Sequence, residues 1–392
     1  MNGHDRHATK HTRHARWQFN PYEIAVTGAR GDNRAALVVA LTRALSRDLK
    51  LGCVKCDVPE PDPGRPGKDG DRLRDAGATT VLHTGGKGWE LATDDDTLAA
   101  YSLLAADAVL VEGPKGGDLP GLLLLDEGLA ALEDPSPAAL APIAVVHPFA
   151  GNANGASRAH AQVVARFGDV PWFERDAIAE IAQFIRNHWR TRVPPLKGLV
   201  LAGGRSTRMQ RDKALLDYHG CSQIDFSFRL LSEICPQVFL SCRPDQQNEA
   251  SRRTFPILTD QFLEMGPTSG ILSALATGLQ QDDGPSAWLV LACDLPKADS
   301  GLLRLLVANR NPFRLATTFR GGDGFPEPLC SIWEPKSFPR LLQFLGLGRD
   351  CPRKCLINSS VALLDPPTAA ALDNGNTPAD FERLRHDLVL GS

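Results

Sequence analysis

Two glycines and four cationic side chains follow an apolar strand in the second half of this chain. The segment LVLAGGRSTRMQRDKALL begins at Leu199, and its cations are Arg205, Arg208, Arg211 and Lys213. Glycine leaves backbone N–H groups open to a ligand, and such groups at the start of a helix bind anions. Arg208 and Lys213 would neutralise phosphate charge there. The pattern favours a site for a phosphate-bearing ligand over a glycine turn followed by a solvated basic face.

A single carboxylate follows the most apolar strand of the chain. The segment LVLACDLP places Asp294 directly after that strand, and open α/β sheets bind their ligands at the carboxyl ends of strands. An aspartate at such a point can hold Mg²⁺, which bridges phosphates and stabilises charge at a transferred phosphorus. The sequence therefore predicts a metal ligand at Asp294, with capping of the turn before Pro296 as the alternative.

A glycine-containing loop, ILTDQFLEMGPTSG, lies between these two segments. Gly266 and Pro267 lead from it into a helix, and this loop suits packing against a base or a ribose. Asp260 precedes them in the chain. We therefore predict Asp260 as a polar contact for a nucleotide.

The segment DNGNTPADFERL near the C-terminus carries two asparagines, Asn374 and Asn376. Their amide oxygens could bind a metal or a nucleotide. Thr377 and Pro378 equally suit the start of a helix, with Thr377 as the cap and Pro378 at the first helical position. The two interpretations are compatible.

The elements that must position these residues alternate along the chain. Apolar runs bounded by turn residues alternate with amphipathic stretches, which is typical of α/β architecture. The predicted strands are 23–28, 53–56, 105–113, 142–147, 198–202, 238–241 and 288–292, and the predicted helices are 35–51, 176–189, 224–234 and 270–279.

Two domains are expected, because 392 residues exceed what one ordinary core accommodates. Two consecutive prolines in RTRVPPLK cannot continue a helix and favour an extended spacer. We predict a disordered, histidine-rich tail over residues 1–20, a first domain over 21–190, a linker over 191–197 and a second domain over 198–392. The histidines of the tail could bind metal, but a flexible tail is favoured.

Composition excludes several classes of protein. The chain is 43% hydrophobic and 23% charged, with a net charge of -3, so no basic excess points to nucleic acid. No apolar run reaches the roughly 18 residues of a membrane span, and the N-terminus lacks the apolar core of a secretory signal. The nine cysteines are scattered without zinc-site spacing. We expect a cytoplasmic protein with reduced thiols.

The motifs of the second half occur together in one known family. LAGGRSTRMQRDKALL, GPTSG, LACDLP, PEPLC and NGNTPAD stand in the order found in molybdenum cofactor guanylyltransferases of the MobA type. The second half, from about Gly198 onward, resembles this family. It departs at Gln210, where the family usually has glycine, and at Thr268 and Ser269, which make the GPTSG loop more polar.

The resemblance implies a Rossmann-like nucleotidyltransferase that transfers GMP from Mg-GTP to the terminal phosphate of molybdopterin and releases pyrophosphate. Lys213, Arg208 and Asp294 would then act directly in the reaction, and Asp294 would hold Mg²⁺. Asn374 and Asn376 would lie near the phosphates and the pterin. The residues predicted to contact the nucleotide are Leu201, Ala202, Gly203, Gly204, Lys213, Asp260, Gly266, Pro267 and Asp294.

The first half contains a phosphate-loop pattern that has lost its chemistry. VTGARGDNRAAL can be laid over GxxxxGK[ST] from Gly28 through Gly31. Asn33 then stands in place of glycine, Arg34 in place of lysine, and Ala35 in place of the metal-binding hydroxyl. An ordinary strand–turn–helix is the alternative.

Other segments of the first half resemble the MobB-type adaptor of molybdopterin-guanine dinucleotide biosynthesis, over about residues 21–190. Lys68-Asp69 matches its GKD stretch, and Glu112 with Lys115 matches its VEG-x-K stretch. The resemblance implies a P-loop-NTPase-like α/β domain. Because the loop lacks its lysine and hydroxyl, we expect weak nucleotide binding, little or no hydrolysis, and a docking role toward molybdoenzyme clients or other proteins of the same biosynthesis.

Three alternatives to the guanylyltransferase remain at this stage. A cytidylyltransferase acting on the same pterin shares the glycine loop, and a nucleotidyltransferase acting on sugar phosphates is more distant. A non-catalytic carrier of molybdopterin belongs to a different class. Lys213 and Asp294 argue against the carrier for the second domain, while the altered phosphate loop favours it for the first.

Overall fold

The structure, a computed structural model, consists of two compact units, Met1–Arg192 and Val193–Ser392. Both units have α/β architecture, so the predicted fold class is confirmed. No helix in the part of the chain that is described is long and apolar enough to cross a membrane. The residues that the structure describes are 20–29, 32–55, 80–85, 88–93, 102–113, 119–133, 142–148, 153–204, 209, 211–280 and 285–390.

The first unit contains eight strands and four helices among its described residues. Its strands are β1 (Glu23–Gly28), β2 (Leu51–Lys55), β3 (Thr80–Gly85), β4 (Gly88–Thr93), β5 (Ala108–Glu112), β6 (Gly121–Leu124), β7 (Pro142–His147) and β8 (Trp172–Glu174). Its helices are α1 (Asp32–Leu45), α2 (Ala130–Glu133), α3 (Ala153–Phe167) and α4 (Ile178–Arg190).

Six of these strands form one parallel sheet in the order β2-β5-β1-β6-β7-β8, and β3 pairs with β4 as a separate antiparallel hairpin. The central strands are continuous apolar runs, as expected where helices cover both faces of a parallel sheet. On one face, Ala159 and Val163 of α3 pack with Leu123 and Val145 of the sheet. Because β1 is a strand of this parallel sheet, the turn after it lies at the carboxyl edge, where α/β folds bind ligands.

The second unit contains seven strands and six α-helices among its described residues. Its strands are β9 (Leu196–Leu201), β10 (Val238–Cys242), β11 (Ile257–Thr259), β12 (Ala287–Ala292), β13 (Ala316–Arg320), β14 (Pro326–Trp333) and β15 (Val361–Leu364). Its helices are α5 (Gln223–Ser232), α6 (Pro267–Gln280), α7 (Ser300–Ala308), α8 (Ser337–Gly346), α9 (Pro352–Ile357) and α10 (Pro378–Leu390).

All seven strands form one mixed sheet in the order β11-β10-β9-β12-β14-β13-β15. β14 runs antiparallel to both of its neighbours, and the other pairs are parallel. Successive residues of a strand face opposite sides, so Val200 and Leu289 enter one core cluster while Leu199 and Val290 enter the other. This arrangement puts the ends of β9, β10 and β12 side by side at one edge.

Two predicted boundaries are corrected by the structure. β9 begins at Leu196, and Leu196 and Lys197 pair with β12, so they belong to the sheet and not to the linker 191–197. Pro195 accepts a hydrogen bond from the backbone N–H of Ala287 at 2.9 Å, which ties the end of the linker to the second unit. Asn20, predicted as the end of the tail, is buried and donates to the carbonyl of Ala106 at 3.0 Å. The rest of the tail lies outside the described residues.

Gly28 provides a test of how the turn after β1 is packed. Its φ is +97°, and an added Cβ would lie 2.1 Å from the carbonyl oxygen of Leu124. Gly168 in the same unit has a φ of +82° with no atom within 4 Å of the added Cβ. We expect Gly168→Ala to lower the free energy of unfolding by about 1–2 kcal/mol through backbone strain alone. Gly28→Ala should cost about 1–3 kcal/mol more, because it adds the clash.

Urea denaturation of the full chain, followed by circular dichroism, measures both variants. Equal losses for Gly28→Ala and Gly168→Ala would contradict the close contact between β1 and β6 at this turn.

Candidate functional site

The glycine loop, residues 202–204, follows β9 at the middle of the sheet edge, between β10 and β12. Leu201 ends the strand, Ala202 is buried and Gly204 is exposed. A Cβ added at Gly204 would meet no atom within 4 Å, whereas one at Gly203 would lie 3.2 Å from Oδ2 of Asp260. The loop thus has bare backbone toward open space and close packing on its other side.

Four predicted residues from three segments meet beside this sheet edge, and we call them the lysine cluster: Lys213, Asp294, Asn374 and Asn376. The Nζ of Lys213 donates to Oδ2 of Asp294 at 3.3 Å and to Oδ1 of Asn376 at 2.5 Å. The Nδ2 of Asn376 donates to Oδ1 of Asn374 at 2.8 Å. The structure therefore brings these residues together, while their roles stay predictions.

Local backbone features explain why the three segments of the lysine cluster meet. Lys213 begins a short 3₁₀ helix, Lys213–Leu215, which Asp212 caps by accepting the backbone N–H of Ala214 at 3.0 Å. The backbone N–H of Gly375 donates to the carbonyl of Asp294 at 2.9 Å. A Cβ at Gly375 would lie 2.5 Å from Oη of Tyr218, so only glycine lets the C-terminal segment approach this closely.

The start of α10 holds the asparagine segment in place. α10 begins at Pro378, as predicted, and Thr377 caps it by accepting the N–H of Asp380 at 3.2 Å. Asp380 accepts in return from the N–H groups of Thr377 at 2.9 Å and Asn376 at 3.2 Å. These hydrogen bonds, led by the one from the Thr377 hydroxyl, hold the pKa of Asp380 below its usual value. The reciprocal cap fixes the backbone of Asn376 next to Lys213.

The charge of Asp294 influences the pKa of two neighbouring groups, Tyr218 and Glu327. Burial raises the pKa of Tyr218 to about 12, and the charges of Asp294 and Asp380 add to the rise. Burial likewise raises the pKa of Glu327, with a further contribution from Asp294. Oδ1 of Asp294 is buried and has no hydrogen-bond partner among the residues that the structure describes. A bound cation would satisfy this oxygen.

The side chains around Asp294 offer few oxygen ligands. They suit a hard cation that takes most of its ligands from other molecules, such as substrate phosphates. The amide oxygens of Asn374 and Asn376 already accept hydrogen bonds inside the lysine cluster. Within the described ranges, no three histidine, cysteine or acidic side chains gather as a metal site. Mg²⁺ is commonly held by one or two carboxylates plus substrate phosphates. Oδ1 of Asp294 therefore fits Mg²⁺ that arrives with a phosphate ligand.

Asp260 is buried behind the glycine loop, on the side that faces away from solvent. Its Oδ1 accepts a hydrogen bond from the Ser241 hydroxyl at 2.7 Å, and its Oδ2 faces Gly203. Burial raises the pKa of Asp260, while the Ser241 hydrogen bond and the charge of Arg243 oppose the rise. The structure thus brings Asp260 to the glycine loop, and its role as a nucleotide contact stays a prediction.

The GPTSG loop leads into α6, which starts at Pro267. Gly266 has a φ of +56°, which favours glycine, and its carbonyl accepts the N–H of Ser269 at 3.1 Å. The hydroxyl of Thr268 donates to the carbonyl of Asp350, and that of Ser269 accepts the N–H of Met265. The polar residues that depart from the family pattern therefore hold backbone in place.

Some of the predicted residues lie outside the described part of the chain. These are Arg205, Arg208 and Gln210 of the basic segment, and Gly31, Lys68, Asp69 and Lys115 of the first half. The roles given to them stay predictions.

The altered phosphate loop of the first unit holds its arginine inside the protein. The side chain of Arg34 is 5% exposed, and its Nε lies 3.8 Å from Oε1 of Glu112 at the end of β5. Gly28 makes the close turn described above. A buried ion pair thus stands where a phosphate-binding lysine would extend toward a ligand.

Two arginines near the glycine loop were missed by sequence reasoning. Arg252 is fully buried and donates to the carbonyl of Ala202 at 3.2 Å, and Arg243 donates to the carbonyl of Gly203 at 2.5 Å. Arginine is rarely buried unless paired. No spacing in the sequence marks Arg243 or Arg252 as a neighbour of loop residues that lie 40 and 50 residues earlier.

Two family models match the chain. The one described as a MobA-like NTP transferase domain covers residues 198–361, and the one described as molybdopterin guanine dinucleotide synthesis protein B covers residues 24–146. Both resemblances expected from the sequence are confirmed.

Individual relatives agree with these matches. The molybdenum cofactor biosynthesis bifunctional protein of Synechocystis sp. is 37% identical over 191 residues, which is 48% of this chain and 54%, about half, of that protein. The probable molybdenum cofactor guanylyltransferase of Trichormus variabilis is 33% identical over 190 residues, which is 47% of this chain and 88% of that protein. A solved structure, molybdopterin-guanine dinucleotide biosynthesis protein A from Archaeoglobus fulgidus, is 21% identical with a TM-score of 0.41, covering 50% of this chain and 99% of that one.

The raised pKa of Tyr218 predicts how stability depends on pH. Its folded-state pKa of about 12 lies above the ordinary tyrosine value of about 10. The phenol's contribution is therefore complete below pH 10 and is lost as pH rises toward 12. The native chain should lose free energy of unfolding relative to Tyr218→Phe across this range. Urea titrations at several pH values measure the difference, and a difference independent of pH would contradict the burial of Tyr218 beside Asp294.

Proposed function

Because the chain belongs to the molybdenum cofactor guanylyltransferase family, we propose that its second unit transfers GMP from GTP to molybdopterin and releases pyrophosphate. The observation that supports this best is the lysine cluster. A half-buried lysine lies beside a carboxylate oxygen that has no hydrogen-bond partner among the described residues, where the carboxyl ends of β9 and β12 meet. That is the place and the chemistry that a nucleoside triphosphate requires.

The reaction asks little of the protein as an acid or a base. An oxygen of the molybdopterin phosphate forms a bond to the α-phosphorus of GTP, and the bond from that phosphorus to the bridging oxygen breaks. Pyrophosphate leaves with the electron pair. The attacking oxygen is already ionised, so the chain contributes by aligning the two substrates and neutralising charge.

Lys213 supplies positive charge beside Asp294. Its Nζ is already oriented by Asp294 and Asn376, so a phosphate oxygen that replaces one of these acceptors meets an aligned donor. An ammonium in a partly water-excluded site stabilises phosphate charge more than one in bulk water does. Arg208, predicted from the same segment, would add a second cation.

Oδ1 of Asp294 would hold Mg²⁺. When bound, the ion would supply positive charge that neutralises charge on the phosphates. The glycine loop would contact the nucleotide with its backbone, and Asp260 on its far side would contact the guanosine. Asn374 and Asn376 would lie toward the phosphates and the pterin. The chain itself contributes binding and orientation at each of these points.

The first unit serves in this proposal as the adaptor that presents the cofactor or an acceptor apoenzyme. Arg34 is buried against Glu112, and Ala35 offers no hydroxyl to a metal, so phosphate binding has lost two of its usual contacts. Molybdoenzymes and other proteins of molybdenum cofactor biosynthesis are the partners that this role implies.

An assay of the full chain tests the proposed function directly. The chain is mixed with molybdopterin, Mg²⁺ and equal concentrations of GTP and CTP, and product masses are recorded. We expect the GMP–pterin product. CMP–pterin would select the cytidylyltransferase, and tight pterin binding without transfer would select the carrier.

Asp294→Asn tests the metal role while keeping the size of the side chain. We expect the rate of GMP transfer to fall at least about a hundredfold, because the charge that would hold Mg²⁺ is removed. Asp365→Asn is the matched control, since Asp365 is a carboxylate of the same unit that is 81% exposed and pairs with Arg320. Undiminished transfer by Asp294→Asn would contradict the metal role.

A further inference from the structure

Two carbonyls of the glycine loop, those of Ala202 and Gly203, accept hydrogen bonds from arginines of a single segment. Nη2 of Arg252 donates to the carbonyl of Ala202, and Nη1 of Arg243 donates to the carbonyl of Gly203. The two arginines lie in the connection between β10 and β11, residues 243–256. Two consecutive peptide groups are thus fixed from the same side of the protein.

Fixing a carbonyl also fixes the N–H of the next residue. In a planar trans peptide the C=O and the N–H point in opposite directions. Arg252 on the carbonyl of Ala202 therefore directs the N–H of Gly203 away from itself, and Arg243 does the same for Gly204. Arg252 is fully buried, whereas a Cβ added at Gly204 would meet no atom within 4 Å. The two carbonyls point toward the arginines, and the two N–H groups point away from them.

Arg252 also connects the glycine loop to the helix that carries Lys213. The same Nη2 forms an ion pair with Oδ2 of Asp212, whose Oδ1 caps the 3₁₀ helix Lys213–Leu215. Nη1 forms a second ion pair with Glu249. One nitrogen of the guanidinium, Nη2, therefore links the loop and the lysine helix, while the other, Nη1, holds Glu249.

We propose that Arg252, together with Arg243, is a positioning residue that holds the glycine loop and Lys213 in their ligand-binding arrangement before the nucleotide arrives. The N–H groups of Gly203 and Gly204 and the ammonium of Lys213 then meet the phosphate chain without reorganisation. Donors fixed in advance stabilise phosphate charge better than donors that must reorient. The inference rests on the proposed function, because it assumes that the ligand is a nucleoside triphosphate.

Arg252→Lys tests this role in the full-length chain. The lysine keeps a positive charge near Asp212 and Glu249, but its single nitrogen ends short of the position of Nη2, so the hydrogen bond to Ala202 is lost. We expect the dissociation constant and the KM for GTP to rise at least tenfold. The dissociation constant of guanosine and the KM for molybdopterin should stay within twofold of the native values. Neither ligand carries the triphosphate that the oriented N–H groups would bind.

Glu249→Gln is the matched control. It removes the carboxylate on Nη1 of Arg252 and leaves the contacts of Nη2 to Ala202 and Asp212, so we expect GTP binding within twofold of the native chain. Arg243→Lys provides a second test that does not depend on a buried arginine, because the Arg243 side chain is 23% exposed. It should show the same selective loss of GTP binding.

Native GTP affinity in both arginine variants would overturn the positioning role. Equal losses for GTP and guanosine would overturn it as well, because a merely structural defect would affect both ligands. A native chain that binds GTP with this selectivity but transfers no GMP would contradict the proposed function and leave the positioning role supported.

Discussion

The contact of Lys213 with Asp294 and Asn376 is the interaction on which the second unit's site depends. It joins segments that are 81 and 163 residues apart in the chain. The Lys213 and Asp294 side chains are both mostly buried, so each charge needs its partner while no ligand is present. The pair keeps an ammonium oriented at the sheet edge, and the other carboxylate oxygen has no hydrogen-bond partner in the described part of the chain. A triphosphate with its cation supplies what both groups lack.

Close backbone approach is the second requirement, and glycine meets it at three points around this contact. Gly203 lies against Asp260, and Gly375 brings the asparagine segment against Tyr218. Gly270 lets α6 pack on the strand ends, where a Cβ would lie 2.2 Å from Oγ of Ser241. Side chains at these positions would hold the segments apart. The site therefore depends on glycines, which have no Cβ, as well as on the charged groups it contains.

The α/β architecture, the glycine turn after β9, the position of Asp294 after β12 and the start of α10 could be predicted, because each has a local signal in strand ends, glycines or capping residues. The roles of Asp294 and the glycine loop stay predictions. The sequence did not predict Arg252 or Arg243. Their contacts depend on how a long connection folds back over β9, and a surface turn normally leaves arginine exposed. The predicted linker, 191–197, overlaps the start of β9 for a similar reason. Leu196 becomes a strand residue through its pairing with β12, which no local pattern records.

A crystal structure of the full chain with a non-hydrolysable GTP analogue and Mg²⁺ tests the central claim most directly. The account predicts the triphosphate against the glycine loop, the Nζ of Lys213 on a phosphate oxygen, and the metal on Oδ1 of Asp294. The carbonyls of Ala202 and Gly203 should keep their arginine partners. A triphosphate bound elsewhere, with Lys213 still paired to Asp294 and no metal on that carboxylate, would contradict it.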